Sequence, residues 1–272
     1  MPTLNSLGIN AAAITFDSGE ILRNFGEAYD IDYPLLSDER SDVIRAFGIL
    51  NTNVPKDHKM MYGMPWPGDY LIAPDLTVRD KFFDPDYQYR PSATAIVTRH
   101  FNPTLSNSIE IETDWLSATV ALSTDRCFAG QDLTSQLSIQ LKPGWHIYGE
   151  SLPAGYQPTR LDFSGDLVGE QSVDLPPAKP MMLPAIGETL PVFEGKLTAF
   201  GRLQIRWSPP APVKFLESFG SFIEPGDYKI SGRLKFQACS ATICQPPQAV
   251  DFELPIRIEG AIQPASRDRT KQ

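Results

Sequence analysis

Cys239 and Cys244 are the two residues of this 272-residue chain whose types and spacing promise chemistry. They lie in Phe236-Gln237-Ala238-Cys239-Ser240-Ala241-Thr242-Ile243-Cys244-Gln245-Pro246-Pro247, with four residues between the thiols. Four residues suffice for a turn between two strands. Opposed residues on antiparallel strands sit about 4.5–5.5 Å apart at Cα, inside the range a disulfide accepts. The pair can therefore close and reopen with little backbone movement. A ring this small removes less entropy from the unfolded chain than a long-loop bridge, so a switch suits it better than a staple. On spacing alone, a plain structural disulfide or two unreactive thiols remain competing readings. The third cysteine, Cys127, reads as a buried structural thiol, with a partner-linking thiol as the alternative.

Other chemistries find little footing. His58, His100 and His146 are scattered and form no metal-ligand spacing, so neither metal nor cofactor is implied. Gly-x-Ser-x-Gly, Gly-x-x-x-x-Gly-Lys-Ser/Thr and His-Glu-x-x-His are all absent. A formal net charge of -9 without any long Lys/Arg run argues against nucleic-acid binding. A chain 42% hydrophobic and 21% charged is expected to fold rather than stay disordered. No run approaches the roughly 18 apolar residues of a membrane span. Met1 to Asn10 has neither a basic start nor an apolar run, so no secretory signal is expected and the chain as it stands would remain cytoplasmic.

The elements around these residues divide the chain in two. In residues 1–103 the run Ala11 to Phe16 predicts a strand buried on both faces. Asp17 or Ser18 caps a helix that turns Ile21, Leu22, Phe25 and Tyr29 inward. Tyr33 to Leu36 is a short strand, and Asp38 or Ser41 starts a second helix with Val43, Ile44 and Phe47 inward. Strands at Tyr70 to Ala73 and Val78 to Phe83 and a helix at about Ser92 to His100 complete an α/β domain. Residues 104–112 are polar and aperiodic and predict a linker. In residues 113–261, strand patterns at Thr119–Leu122, Ser135–Leu141, Trp145–Tyr148, Leu203–Trp207, Gly226–Gln237 and Val250–Ile258 alternate with Pro/Gly turns, predicting an all-β sandwich. Leu175 to Pro191 reads as an irregular, Pro-rich excursion, and 262–272 as a polar tail.

Roughly Trp115 to Gly260 resembles the N-terminal periplasmic domain of the thiol:disulfide interchange protein DsbD, an immunoglobulin-like sandwich. The resemblance is carried by Lys142-Pro143-Gly144-Trp145-His146-Ile147-Tyr148, by Val192-Phe193-Glu194-Gly195-Lys196, and by the two cysteine segments. It implies that Cys239 and Cys244 are a redox couple fed by a thioredoxin-like partner and emptied into downstream periplasmic proteins. By that resemblance Cys244 forms the mixed disulfide and Cys239 resolves it. Phe193, with its neighbour Glu194, falls at the cap that shields the pair. His146 and Tyr148 fall where active-site tyrosines line it; either could polarise a thiolate or simply pack. Two features depart from the family: its cysteines are typically one residue further apart, and its second cap position is aromatic where this chain has Glu194. An anion beside a thiol would raise its pKa and lower its thiolate fraction.

The first hundred residues resemble the peroxiredoxin (AhpC/TSA) and thioredoxin-like superfamily. The carrying segments are Ala13-Ile14-Thr15-Phe16-Asp17-Ser18, Tyr33-Pro34-Leu35-Leu36-Ser37-Asp38, Val43-Ile44-Arg45-Ala46-Phe47-Gly48-Ile49-Leu50 and Gly63-Met64-Pro65-Trp66-Pro67-Gly68. Pro67 falls at the superfamily's cis-proline, with an ordinary trans proline as the alternative. The resemblance implies an incomplete domain, lacking the first strand–helix unit that carries the superfamily's reactive cysteine; a truncated product or a misassigned start is the expectation. Three functions follow: a thiol–disulfide oxidoreductase module, a non-catalytic binding module braced by its disulfide, or a fragment of a peroxiredoxin-like antioxidant protein.

Overall fold

The computed structural model describes residues 4, 7–83, 90–91, 93–101, 105, 107–183, 187–207 and 223–260. Two compact units divide the chain, the boundary falling between residues 87 and 88. The polar tail expected at 262–272 lies outside the described residues.

In the first unit, β1 (Ala13–Thr15) pairs in parallel with β2 (Leu35–Ser37), and β3 (Gly68–Ile72) forms an antiparallel hairpin with β4 (Val78–Phe83). Between β1 and β2 runs α1 (Gly19–Tyr29), whose N-terminus is capped by Ser18 Oγ accepting from the Ile21 amide at 3.3 Å. The short α2 (Asp42–Ala46) follows β2. Its cap is Asp38, whose carboxylate accepts from the Asp42 and Ile44 amides at 2.9 Å each, while Ser41 makes no side-chain cap bond. Of the expected inward faces, only Leu22 on α1 and Ile44 on α2 are buried. Ile14, Ile21, Phe25, Val43 and Phe47 are each more than a third exposed, against the expectation of buried strand and helix faces. The physical reason lies in the sheet. The described strands form two separate two-stranded ribbons, and neither presents a face wide enough to cover a helix.

Pro67 is not a cis-proline: the described residues contain no cis peptide bond. The chain arrives there already extended, with Leu50 bridged to Pro65 and the Trp66 amide donating to the Ile49 carbonyl at 2.6 Å, and it runs on directly into β3.

The second unit is a β-sandwich. One layer is the sheet β12 (Val168–Asp174), β15 (Lys196–Ile205), β9 (Gln131–Leu141), β7 (Leu116–Leu122), β6 (Asn107–Glu112), in that order. The short β5 (Arg90–Pro91) pairs with β9 in parallel. Facing it is β11 (Arg160–Ser164), β16 (Gly226–Phe236), β18 (Gln248–Ile258), β8 (Arg126–Cys127). Strict alternation builds this second layer. Ile230, Leu234 and Phe236 of β16 and Phe252, Leu254, Ile256 and Ile258 of β18 point inward. The outer face carries the cross-strand ion pairs Lys229–Glu253 at 2.6 Å and Arg257–Asp227 at 2.8 Å. Gly232 lies opposite Phe252, whose ring fills the space a β-carbon would need.

Three expectations need correction here. Residues 107–112, read as linker, are the edge strand β6: Ile111 enters the core between outward Glu110 and Glu112. The helix α3 (Ala93–Phe101), read as the last element of the α/β half, falls in the second unit and packs near β9. Within Leu175 to Pro191 the chain is largely not irregular, because β13 (Lys179–Leu183) pairs with β14 (Glu188–Glu194). Those two strands continue through β10 (His146–Tyr148) to β17 (Ala238–Cys239), giving a third sheet ordered β13-β14-β10-β17.

Candidate functional site

The site is the far edge of this third sheet. Both of its faces are covered. Ile147, Phe193 and Ala238 share one face and join the main sandwich core. Tyr148, Val192 and Cys239 share the other, packing with Leu183 and Leu190 and against Leu152, Tyr156 and Met181. The cysteine pair therefore sits over its own small apolar cluster, on the opposite side of the sheet from the sandwich core.

Cys239 ends β17, and the chain turns back at once. Ser240 Oγ accepts from the Thr242 and Ile243 amides, the Ser240 amide donates to the Ile243 carbonyl at 2.8 Å, and the Gln245 amide closes onto Ala238 at 2.9 Å. Cys239 and Cys244 face each other in an isolated antiparallel bridge, 4.1 Å apart at Cα, and are joined in a disulfide. Gln237 anchors the base of the turn, its Nε2 donating to the Gln245 carbonyl and its Oε1 accepting from the Gln157 amide. The two sulfurs differ sharply in access. Cys239 is completely buried, whereas Cys244 is exposed beside the exposed Ile243.

Tyr148 bridges the pair. Its hydroxyl lies 3.2 Å from Cys239 Sγ and 3.4 Å from Cys244 Sγ. Disulfide sulfurs carry no proton, so the phenol is the donor to both. Burial pushes the Tyr148 phenol pKa up, with Tyr156 and Glu188 adding to the rise, so it keeps its proton. The Tyr156 ring stands edge-on to Tyr148 with centroids 5.2 Å apart, and its hydroxyl donates to Glu188 at 3.2 Å.

His146 lies on the same face as Tyr148, opposite Cys239 on β17 and opposite Glu194 on β14. Burial lowers its pKa, and the Glu194 charge opposes that shift. Cys127 is remote from all of this: it is a free thiol inside the sandwich core, pushed up to about 12 by burial and by Glu259. Among the described residues no group of three or more His, Cys, Asp and Glu could hold a metal ion.

Four of the sequence-predicted site residues thus come together: Cys239, Cys244, Tyr148 and His146. The cap does not. Phe193 pairs with Ile147 and points into the sandwich core, on the opposite face of the sheet from both cysteines. Glu194 is on the cysteine face but two strands from Cys239, about 10 Å at ordinary strand spacing, and is exposed. The covering groups are instead Tyr148 and the cluster with Tyr156, Leu183, Leu190, Val192 and Met181. Tyr156 was not expected; it lies in a loop after Gly155, where no periodicity marks it.

Residues 112–256, just over half of the chain, match the family described as thiol:disulfide interchange protein DsbD, N-terminal. Residues 1–81 match the AhpC/TSA family. Among solved structures, a match is the crystal structure of the N-terminal periplasmic domain of ScsB from Proteus mirabilis, 17% identical, with 60% of this chain aligned and a TM-score of 0.37. The alignment covers 53% of that protein, so the chain spans about half its length. No curated protein matches.

Proposed function

The chain belongs, through residues 112–256, to the family of the DsbD N-terminal domain, and from that premise we propose that Cys239 and Cys244 are its redox couple. The pair takes reducing equivalents from a thioredoxin-like partner and hands them to a downstream acceptor. One observation carries this reading: the two sulfurs of a single disulfide are unequal, one exposed at the tip of a turn and one sealed against Tyr148.

That inequality orders the steps. A partner thiolate attacks Cys244 Sγ, the accessible sulfur; the disulfide breaks and its electron pair leaves on Cys239 Sγ. The Tyr148 hydroxyl, already within 3.2 Å, donates to the sulfur as charge develops on it. The partner's second thiol then attacks its own sulfur in the mixed disulfide and releases Cys244 as a thiolate. The partner is oxidised and the pair reduced by two electrons. Transfer to the acceptor runs the same steps backwards.

Residues 1–81 contain no cysteine and so contribute no thiol to peroxide or disulfide chemistry; their part in this scheme is docking. We assign the working compartment to the periplasm, where disulfides form and persist. No helix among the described residues is long and apolar enough to cross a membrane.

The test is trapping. Cys239→Ser should hold a mixed disulfide through Cys244 with a thioredoxin-like protein carrying a single active-site cysteine, and Cys244→Ser should hold none. Equal trapping by both variants, or by neither, would sink the assignment.

A further inference from the structure

His146 occupies the position on β10 directly opposite Cys239 on β17. Opposed residues of an antiparallel pair leave the sheet on the same face with Cβ atoms about 4.5–5.5 Å apart, so the imidazole and the sealed sulfur share one dry compartment. The side chain is 3% exposed, and its Nε2 has no hydrogen-bond partner among the described residues. A buried ring nitrogen left without a partner is costly and calls for a reason. In the disulfide, Cys239 Sγ is held by Cys244 Sγ, and this nitrogen makes no hydrogen bond to it. Reduction gives Cys239 an S–H, the donor that this nitrogen lacks.

We propose that His146 accepts the proton of the Cys239 thiol in the step that resolves the mixed disulfide, a role resting on exchange at the Cys239–Cys244 pair. When the reduced domain meets an acceptor disulfide, the Cys244 thiolate attacks it, forming a Cys244–acceptor disulfide and releasing the acceptor's other sulfur as a thiolate. Cys239 must then attack Cys244 Sγ from a buried position where an ionised sulfur is disfavoured. The Cys239 proton passes to His146 Nε2 as the new S–S bond forms. The bond to the acceptor breaks, its electron pair leaves on the acceptor sulfur, and the imidazolium returns its proton to that thiolate or to water. The acceptor gains two electrons and the pair loses two.

The groups facing His146 suit the task. On its own strand Tyr148 lies with ring centroids 6.1 Å away, on β14 Glu194 stands opposite, and on β17 Cys239 does. Beyond Tyr148 come Tyr156 and the Glu188 carboxylate that it bonds. Burial keeps the imidazole neutral near neutral pH and therefore able to accept, while the exposed Glu194 favours the cation once formed. Tyr148 cannot substitute, because its phenol holds its own proton. The two side chains divide the work: Tyr148 donates to sulfur carrying charge, and His146 accepts from sulfur carrying a proton.

The experiment mixes reduced protein with one equivalent of dithiobis-nitrobenzoate and follows release of coloured thionitrobenzoate in stopped flow. The first release reports attack by Cys244 and the second reports resolution by Cys239. Wild type, His146→Phe and the more conservative His146→Gln are compared from pH 5.5 to 9.5. General-base assistance typically contributes about 10²–10⁴-fold. Both variants should therefore slow the second release by about tenfold or more beyond any change in the first. The wild-type second-release rate should level off at neutral pH, after an inflection below about 6.5, whereas the variant rates should still climb past about pH 8.5 as the thiol itself ionises. A second release with wild-type rate and pH profile in both variants would overturn the proposal while leaving exchange at the pair intact. A wild-type protein that gives no first release at Cys244 would overturn both.

Discussion

Removing one oxygen from Tyr148 separates rate from equilibrium at this site. Tyr148→Phe leaves the ring in place against Tyr156 and the apolar cluster beneath the pair, so the packing survives. Among the described residues the deleted hydroxyl hydrogen-bonds only the two sulfurs, with one proton to share between them, at 3.2 and 3.4 Å. Sulfur in a disulfide is a weak acceptor, so the fold should lose no more than about 1 kcal/mol. The transition state is different, because negative charge then develops on sulfur. A hydrogen bond to a charged group contributes about 1.5–3 kcal/mol net, and each 1.4 kcal/mol is roughly a factor of ten in rate. Reduction by a small thiol should therefore slow by about tenfold to hundredfold. The reduction potential should move by less than about 30 mV, equivalent to 1.4 kcal/mol, because neutral sulfur is a weak acceptor and the lost hydrogen bond then counts for little at equilibrium. Stopped-flow reduction by dithiothreitol measures the rate, and equilibration in glutathione buffers measures the potential. A variant reduced at the wild-type rate would refute the role given to the hydroxyl.

Two further outcomes follow from the buried groups. Cys127, pushed up to about 12, should be about 10⁻⁴ ionised at pH 8 and inert in the folded protein; the oxidised protein should show no free thiol to dithiobis-nitrobenzoate until guanidinium unfolds it, and one thereafter. A thiol reacting within minutes in the folded state would contradict this. The second outcome concerns acid. Burial holds the His146 pKa below its unfolded value of about 6.5. As pH falls through that value the unfolded chain binds a proton that the folded chain refuses. Stability is thus full above about pH 6.5 and declines below it until the folded-state pKa is reached. Urea unfolding at pH 7.5 and 5.5 should show the loss, and His146→Phe should show less of it. Asp251, held low by its hydrogen bond and charge pairing with Arg233, acts only at still lower pH. An equal loss in both proteins would contradict the assignment to His146.

Much of the sandwich was legible because its long strands have one dry face and one wet face. In β16 and β18 the alternation of Ile230, Leu234, Phe252 and Leu254 with charged residues marks strand and facing together. The third sheet defeats that logic. His146, Ile147 and Tyr148 are all buried, as are Val192 and Phe193, because both faces are covered. Alternation then leaves no trace, and only the register of β14 on β10 and of β10 on β17 shows that Phe193 faces away from the cysteines while His146 faces them. Residues 107–112 failed differently: their Ser, Glu and Asn content read as polar linker, although Ile109 and Ile111 alternate with Glu110 and Glu112 as an edge strand should. In the α/β half the helix periodicities and the Ser18 cap were readable. How deeply Ile21, Phe25, Val43 and Phe47 would be buried was not, since that depends on the width of sheet available to cover them.

The reduction potential of the Cys239–Cys244 pair tests the exchange role most directly. The purified protein is equilibrated in glutathione buffers of defined ratio, and the fraction with free thiols at both positions is counted by alkylation and mass. A pair that passes electrons should be poised between about -180 and -270 mV, in the range of known exchange proteins. A value below about -300 mV, where structural disulfides resist the glutathione pool, would make the bridge a brace and contradict electron transfer through it.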